Sequence, residues 1–164
     1  AVEHATGRPA GIKWVNDLYY REKKICGILT EASMDLEGGG LAYAVVGIGI
    51  NVLPPPEGFP AELRDRATAL YDTPGDCPPE LRSRLAAALL NSFWTLYRRL
   101  PDRAFLADYR RRSILTGREI SFLLRGEPCR GVVRTIDDEA RLVVRLPDGR
   151  EERLLSGEVT IGRL

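Results

Sequence analysis

The sequence predicts an α+β chain: a β-sheet with helices, then a small β-barrel. Three observations predict it. Strand-like runs rich in β-branched and aromatic residues fill the first fifty residues. Apolar residues then recur at helical spacing from Glu80. The last fifty or so residues return to short strand-like runs separated by turn signals.

Residues Ala1 to Thr6 read as the end of a helix stopped by Gly7 and Pro9. Gly11 to Trp14 is a short strand. Leu18 to Tyr20 and Lys24 to Met34 are two strands joined tightly through Arg21-Glu22-Lys23. Asp35 to Gly40, with its glycine run, is a loop. Leu41 to Val52 is almost continuously apolar, the pattern of a strand buried on both faces, and Pro54 to Pro56 end it. Leu63, Ala67, Leu70 and Tyr71 suggest a helix begun near Pro60. Thr73 to Pro79 is a linker. Leu81, Leu85, Leu89, Phe93, Leu96 and Leu100 form the clearest helical stripe, expected to be core. Asp102 is the expected cap of a last helix carrying Phe105, Leu106 and Tyr109. Arg110 to Arg112 form a solvated end, where cations suit the helix dipole. Helical periodicity stops near Ser113. Five strands follow, at Ile120–Leu124, Gly131–Ile136, Arg141–Leu146, Arg150–Leu155 and Glu158–Ile161, with Asp148-Gly149 as a hairpin turn.

The 164 residues suit one domain, or one domain with a small appendage. Twenty-four basic residues face 23 acidic ones, so no global charge draws the chain to nucleic acid or acidic membranes. Cys26, Cys77 and Cys129 are far apart and odd in number, which argues against a disulfide framework or a zinc site and for reduced thiols in the cytoplasm. A single histidine, His4, leaves little for histidine triads or histidine-rich metal sites. No run is long enough to span a bilayer, and the first residues lack a signal pattern.

The stretch KWVNDLYYREKK, Lys13 to Lys24, sets lysines, an asparagine and an aspartate among residues that prefer burial. Its plainest reading is a surface turn with solvated lysines. Its chemical reading is a site for a phosphate or acyl phosphate, because ammonium groups neutralise charge developing on reacting oxygens. Asn16 offers both donor and acceptor, as adenine edges require. Asp17 can hold magnesium or orient a lysine. Gly27, Gly47 and Gly49 let a flat ligand approach the backbone, and Asn51 closes the apolar strand at a pocket mouth. Spacing alone leaves the ligand as a nucleotide or an acyl group. Gly47 to Asn51 lacks the spacing of dinucleotide and P-loop motifs.

KWVND, then KICGILTE, then GIGINV, and the ending LLSGEVTI together resemble the biotin protein ligases. Lys13 to Asp17 is similar to that family's KWPND signature, Lys24 to Glu31 to its lysine–glycine strand, and Gly47 to Val52 to its G-h-G-h-N-h strand (h, apolar). The resemblance covers essentially the whole chain. It implies a partial mixed β-sheet with helices in a catalytic domain over 1–112, and an SH3-like C-terminal domain over 113–164. It implies an ATP-dependent ligase that forms biotinyl-5′-AMP with magnesium, then passes biotin to a lysine of a carboxylase's biotin carboxyl carrier domain. Lys24 would be the central catalytic lysine, assisted at the phosphates by Lys13. Asn16 and Asn51 would lie near the adenylate and Asp17 near its phosphate or metal. Gly27, Gly47, Gly49 and Ile50 would wall the pocket. No residue is assigned as a resident metal ligand.

Two departures stand out. Val15 replaces the signature's proline, which loosens a turn and removes no functional group. The family's Gly/Arg-rich loop, GRGRxGR, would lie N-terminal to this sequence, so the sheet is expected to be incomplete, with exposed edges or an uncovered apolar face. The helix-turn-helix of the family's repressors is also absent from these residues, so DNA is not an expected partner. Alternatives are a non-catalytic fragment that binds adenylate or carrier, and a lipoate ligase-like protein.

Overall fold

A computed structural model describes residues 1–35 and 38–162. Residues 36 and 37, within the expected Asp35–Gly40 loop, lie outside the described set. The fold is α+β, built from antiparallel sheets and helices in two compact units. The first comprises residues 1–10 and 16–88, the second 11–15 and 89–164.

In the first unit, α1 (Val2–Thr6) ends at Gly7, whose φ of 68° is a left-handed cap that glycine adopts without strain. Strands β2 (Asp17–Tyr20), β3 (Lys23–Met34) and β4 (Leu41–Ile50) pair antiparallel in that order. The tight β2–β3 turn carries Arg21 and Glu22, both with positive φ, without the glycine or asparagine that usually marks such turns. The pairings of β2, β3 and β4 are antiparallel rather than mixed, and a parallel bridge between Lys24 and Ala67 stands outside the named strands. Val2, Ala5, Ile25, Leu70, Leu81 and Leu85 are core residues of this unit. Arg8 fastens the α1 exit by donating to the Tyr20 hydroxyl at 2.8 Å, with its guanidinium 4.2 Å from the Tyr71 ring centre.

The second unit holds β1 (Gly11–Lys13), the later part of α2 (Leu81–Tyr97), α3 (Phe105–Arg112) and the strands β5 (Glu119–Leu124), β6 (Glu127–Ile136), β7 (Leu142–Arg145), β8 (Glu151–Leu154) and β9 (Val159–Ile161). The five expected C-terminal strands are all present, in the order β8-β7-β6-β5-β9. They form an antiparallel sheet, and no pairing between β8 and β9 closes it into a barrel among the described residues. Trp14 sits in this unit's core with Leu115, Ile120 and Leu142, and its indole N–H donates to the Ala140 carbonyl at 2.9 Å. Asp148-Gly149 makes the expected turn, with Gly149 at φ 88° and the Asp148 carboxylate accepting from the Arg150 backbone N–H.

Four sequence expectations are corrected. Residues 60–71 form a 3₁₀ turn at Ala61–Leu63, a further turn through Arg66 and then irregular chain, because from Arg66 onward the segment spends its backbone hydrogen bonds on β3 and the chain after β4. The α2 stripe is core only at Leu81 and Leu85, while Phe93, Leu96 and Leu100 are exposed. Asp102 does not cap α3: it lies in a 3₁₀ turn, Arg103 adopts φ 50°, and the cap falls at Ala104. Strand β4 is not buried on both faces. It is a sheet edge, and Leu41, Tyr43, Val45 and Val46 are all exposed.

The Arg110–Arg112 cluster is internally paired: Arg110 with Asp138 at 2.6 Å, and both Arg111 and Arg112 with Asp108. Those arginines, Arg112 foremost, hold the Asp108 carboxyl below the usual carboxylate range. No described helix is long and apolar enough to cross a membrane.

Candidate functional site

The site begins with a register irregularity. Asp17 pairs with Gly27 and Leu18 with Cys26, but Tyr19 pairs with Lys24, so Ile25 is an extra residue in β3. A bulge of this kind re-aims side chains by shifting the two-residue alternation. In an unbroken strand Lys24 would share a face with Cys26 and Ile28. The bulge returns it to the face of Asp17 and Gly27.

Lys24 Nζ lies 2.6 Å from Asp17 Oδ1, with the lysine side chain 42% exposed and the aspartate 19%. Gly27 makes room for the pair: a Cβ there would stand 3.3 Å from both Lys24 Cε and Nζ. The pairing of Gly27 with Gly49, and of Leu29 with Gly47, continues that face into β4. At Gly47 and Gly49 the nearest atoms to an added Cβ are backbone oxygens at 3.8 and 4.0 Å. Bare backbone thus floors an open cavity of about 570 Å³, lined by Asn16, Asp17, Lys24, Gly27, Gly47 and Gly49 among others.

Of the remaining sequence-selected residues, Ile50 packs with the first unit's core and does not line this cavity. Asn51 directs its side-chain amide to the Thr68 carbonyl at 3.1 Å. Lys13 stands on β1, in the second unit. Asn16 lines the cavity and is tied to Ile28 twice: its amide donates to the Ile28 carbonyl, and its own carbonyl accepts the Ile28 N–H at 3.0 Å.

Beneath the site, Cys26 is buried and unpaired with other thiols. Burial first, and the nearby Asp17 carboxylate second, push its thiol up to about 11. It is therefore a protonated apolar filler at neutral pH, not a nucleophile.

Sequence reasoning missed the segment behind Lys24. The Lys24 N–H donates to the Arg66 carbonyl at 2.8 Å, and the Thr68 N–H donates to the Lys24 carbonyl at 2.9 Å. Lys23 Nζ adds a bond to the Arg64 carbonyl at 2.6 Å. These contacts are made by main-chain groups of the strap, which carry no residue-type signature.

An exposed lysine–aspartate pair on a glycine floor suits a flat, anionic ligand, because the ammonium supplies charge while the missing side chains admit close approach. Residues 3–51 match the biotin/lipoate A/B protein ligase family, and residues 115–162 match the biotin protein ligase C-terminal domain. The first match sets the class that this part of the chain resembles as biotin or lipoate ligases. The second narrows the resemblance to the biotin protein ligases.

The biotin–[acetyl-CoA-carboxylase] ligase of Mycobacterium tuberculosis is 34% identical over 152 residues, covering 91% of this chain and 52% of that protein. The bifunctional ligase/repressor BirA of Bacillus subtilis is 44% identical over 75 residues, 46% of this chain and 22% of that one. The biotin protein ligase of Aquifex aeolicus, solved in complex with biotin and ATP, superposes with a TM-score of 0.78 at 27% identity, over 99% of this chain and 66% of that one. Its apo structure gives 0.80 at 26% identity, over 99% and 69%. The chain thus spans about half the length of its Mycobacterium relative.

Proposed function

We propose that this chain supplies the lysine-bearing part of an ATP-dependent biotin protein ligase. The observation that supports this most is the Lys24–Asp17 pair set over Gly27, Gly47 and Gly49 at one cavity. In the first step a biotin carboxylate oxygen attacks the α-phosphorus of ATP, and pyrophosphate leaves with the bonding electrons. In the second, a lysine amine of a biotin carboxyl carrier domain attacks the acyl carbon of biotinyl-5′-AMP. AMP leaves, and the amine's proton passes to solvent. Negative charge gathers on the oxygens around phosphorus in the first step and on the acyl oxygen in the second. A fixed ammonium at Lys24 lowers the energy of both.

Asp17 orients that ammonium through the 2.6 Å contact. Asn16 and the glycine floor receive the adenylate. Residues 1–112 form the catalytic part and 113–164 an SH3-like C-terminal domain.

Magnesium, which such a reaction uses with ATP, finds no cage here. No cluster of three or more His, Cys, Asp or Glu side chains suited to a metal occurs among the described residues, and Asp17 is engaged by Lys24.

The test is calorimetric titration of the 164-residue chain with a non-hydrolysable biotinyl-AMP mimic. Saturable binding that Lys24→Ala weakens is the expected result. Absence of binding to a folded chain would overturn the proposal for this polypeptide and leave a non-catalytic fragment.

A further inference from the structure

We propose that Tyr109 is a positioning residue for Asn16, holding the peptide plane through which the chain enters the site. The proposal rests on the reading of Asn16 and Asp17 as part of an adenylate site. The Tyr109 hydroxyl donates to the Val15 carbonyl at 2.8 Å. A peptide unit is planar, so the Val15 carbonyl and the Asn16 N–H move as one body. Tyr109 and Val15 both lie in the second unit, and the link to Asn16 is the peptide bond itself.

The surroundings show why one hydroxyl matters. The Val15 side chain is 45% exposed and belongs to neither core cluster, so packing does little to fix this peptide. Downstream, Asn16 is tied to Ile28 by two hydrogen bonds. Upstream, the Ile12 carbonyl accepts the Ile114 N–H at 2.9 Å, and the Trp14 indole reaches the Ala140 carbonyl. Tyr109 closes the interval between these ties. Its ring packs against the second unit's core, and the chain leaving α3 runs beside β1, with Ser113 bridged to Ile12. Gly11 permits that approach, because a Cβ there would collide with Ile114 Cγ2. Burial pushes the Tyr109 phenol up to about 12, so it remains a protonated donor at neutral pH. Without the hydroxyl the peptide plane can tilt, and Asn16 tilts with it. Small displacements of positioning groups are costly to a bound ligand's alignment.

The experiment uses the full chain as wild type, Tyr109→Phe and Val133→Ala. Phenylalanine keeps the ring and removes only the hydroxyl. Val133→Ala truncates the same unit's core and controls for a general loss of stability. NMR follows the Val15 ¹³C′ and Asn16 ¹⁵N resonances. It also follows exchange of the Ile28 amide, which donates to the Asn16 carbonyl at 3.0 Å. In Tyr109→Phe both resonances are expected to shift, and the Ile28 amide to exchange about fivefold faster, as loss of one hydrogen bond implies. Calorimetric affinity for the biotinyl-AMP mimic is expected to fall about fivefold as well. Val133→Ala is expected to keep the wild-type Ile28 rate and the wild-type affinity.

A wild-type Ile28 rate in Tyr109→Phe would overturn the proposal. So would equal effects in Val133→Ala, which would make the hydroxyl one stabilising contact among many. A loosened Ile28 with unchanged affinity would also overturn it, since the tie would not matter to the ligand. If Tyr109→Phe does not fold, the unsubstituted chain decides. Its Tyr109 hydroxyl proton should exchange slowly with water, and one that averages as fast as that of exposed Tyr97 would sink the idea. The NMR readouts need no ligand. A wild-type chain that fails to bind the mimic therefore refutes the adenylate reading, whereas an undisturbed Ile28 amide refutes the role of Tyr109.

Discussion

The Lys24 ammonium and the Asp17 carboxylate meet at 2.6 Å above Gly27. Their value is geometric rather than energetic, since a pair this accessible contributes only about 0–1 kcal/mol to stability. Asp17 limits where the long lysine side chain can point, and Gly27 leaves the volume that it crosses.

Substitution at Gly27 should therefore separate folding from binding. In Gly27→Ala the new methyl crowds the flexible end of Lys24, at 3.3 Å, and meets Asp17 Oδ1 at an ordinary 3.7 Å. Removing a strand glycine offsets part of any crowding by about 0.5–1 kcal/mol. The urea midpoint should stay within error or rise, while the affinity for a biotinyl-AMP mimic falls. A large loss of stability would show that the pair cannot yield.

Gly49 tests the floor itself. Its Cβ position is open, with only the Gly27 carbonyl oxygen at 4.0 Å. Gly49→Val should fold normally by circular dichroism and fill part of the cavity, lowering mimic affinity. Unchanged affinity would place the ligand elsewhere.

The split character of α2 predicts a contrast along one helix. Leu81 is fully buried, and Leu81→Ala should cost about 2–5 kcal/mol in denaturant unfolding. Leu96 is 52% exposed, and Leu96→Ala should change stability by less than about 0.5 kcal/mol. Equal losses would mean that the helix's second half is covered in solution.

Cys26 predicts an alkaline limit. Its thiol is held protonated up to about 11 in the fold, above the usual thiol value. The folded state therefore binds the proton more tightly than the unfolded state. That contribution is complete below the unfolded pKa, near 8.5, and is lost as pH rises toward 11. Cys26→Ser, compared with wild type from pH 8 to 11, should flatten part of the decline. At pH 8 a maleimide should label Cys77 and Cys129 well before Cys26.

The β4 edge predicts self-association. None of its ten residues is charged, and Tyr43 and Val45 are 62% and 55% exposed. Edges of this kind pair with other chains unless charges or proline intervene. Val45→Lys should shift sedimentation profiles toward monomer at high concentration, and an unchanged profile would show that the edge is protected.

The sequence made legible what residue type signals. Asp148-Gly149 placed its hairpin, and Gly27, Gly47 and Gly49 marked a face that the register then assembled. Main-chain devices were not legible. Nothing about Ile25 announces an extra residue, and the strap at Arg66–Thr68 acts through carbonyls and amides that every residue shares. The apolar run of β4 misled because composition reports what a strand would bury, not what lies beside it. Trp14 and Asn16, two positions apart in one motif, belong to different compact units, a division that spacing along the chain cannot reveal.

The extra residue at Ile25 separates where the lysine points from what the core holds. Exchanging Ile25 for another apolar side chain of similar size preserves both. Losing its codon would set Lys24 two positions from Gly27, the spacing at which strict alternation already puts both on one face. The ammonium would stay on the Asp17 side without any bulge, while the first unit's core would lose a fully buried side chain and the Asn51 N–H would lose the carbonyl it donates to. The bulge thus lets one strand feed an extra apolar side chain to its core without turning the lysine away from the site.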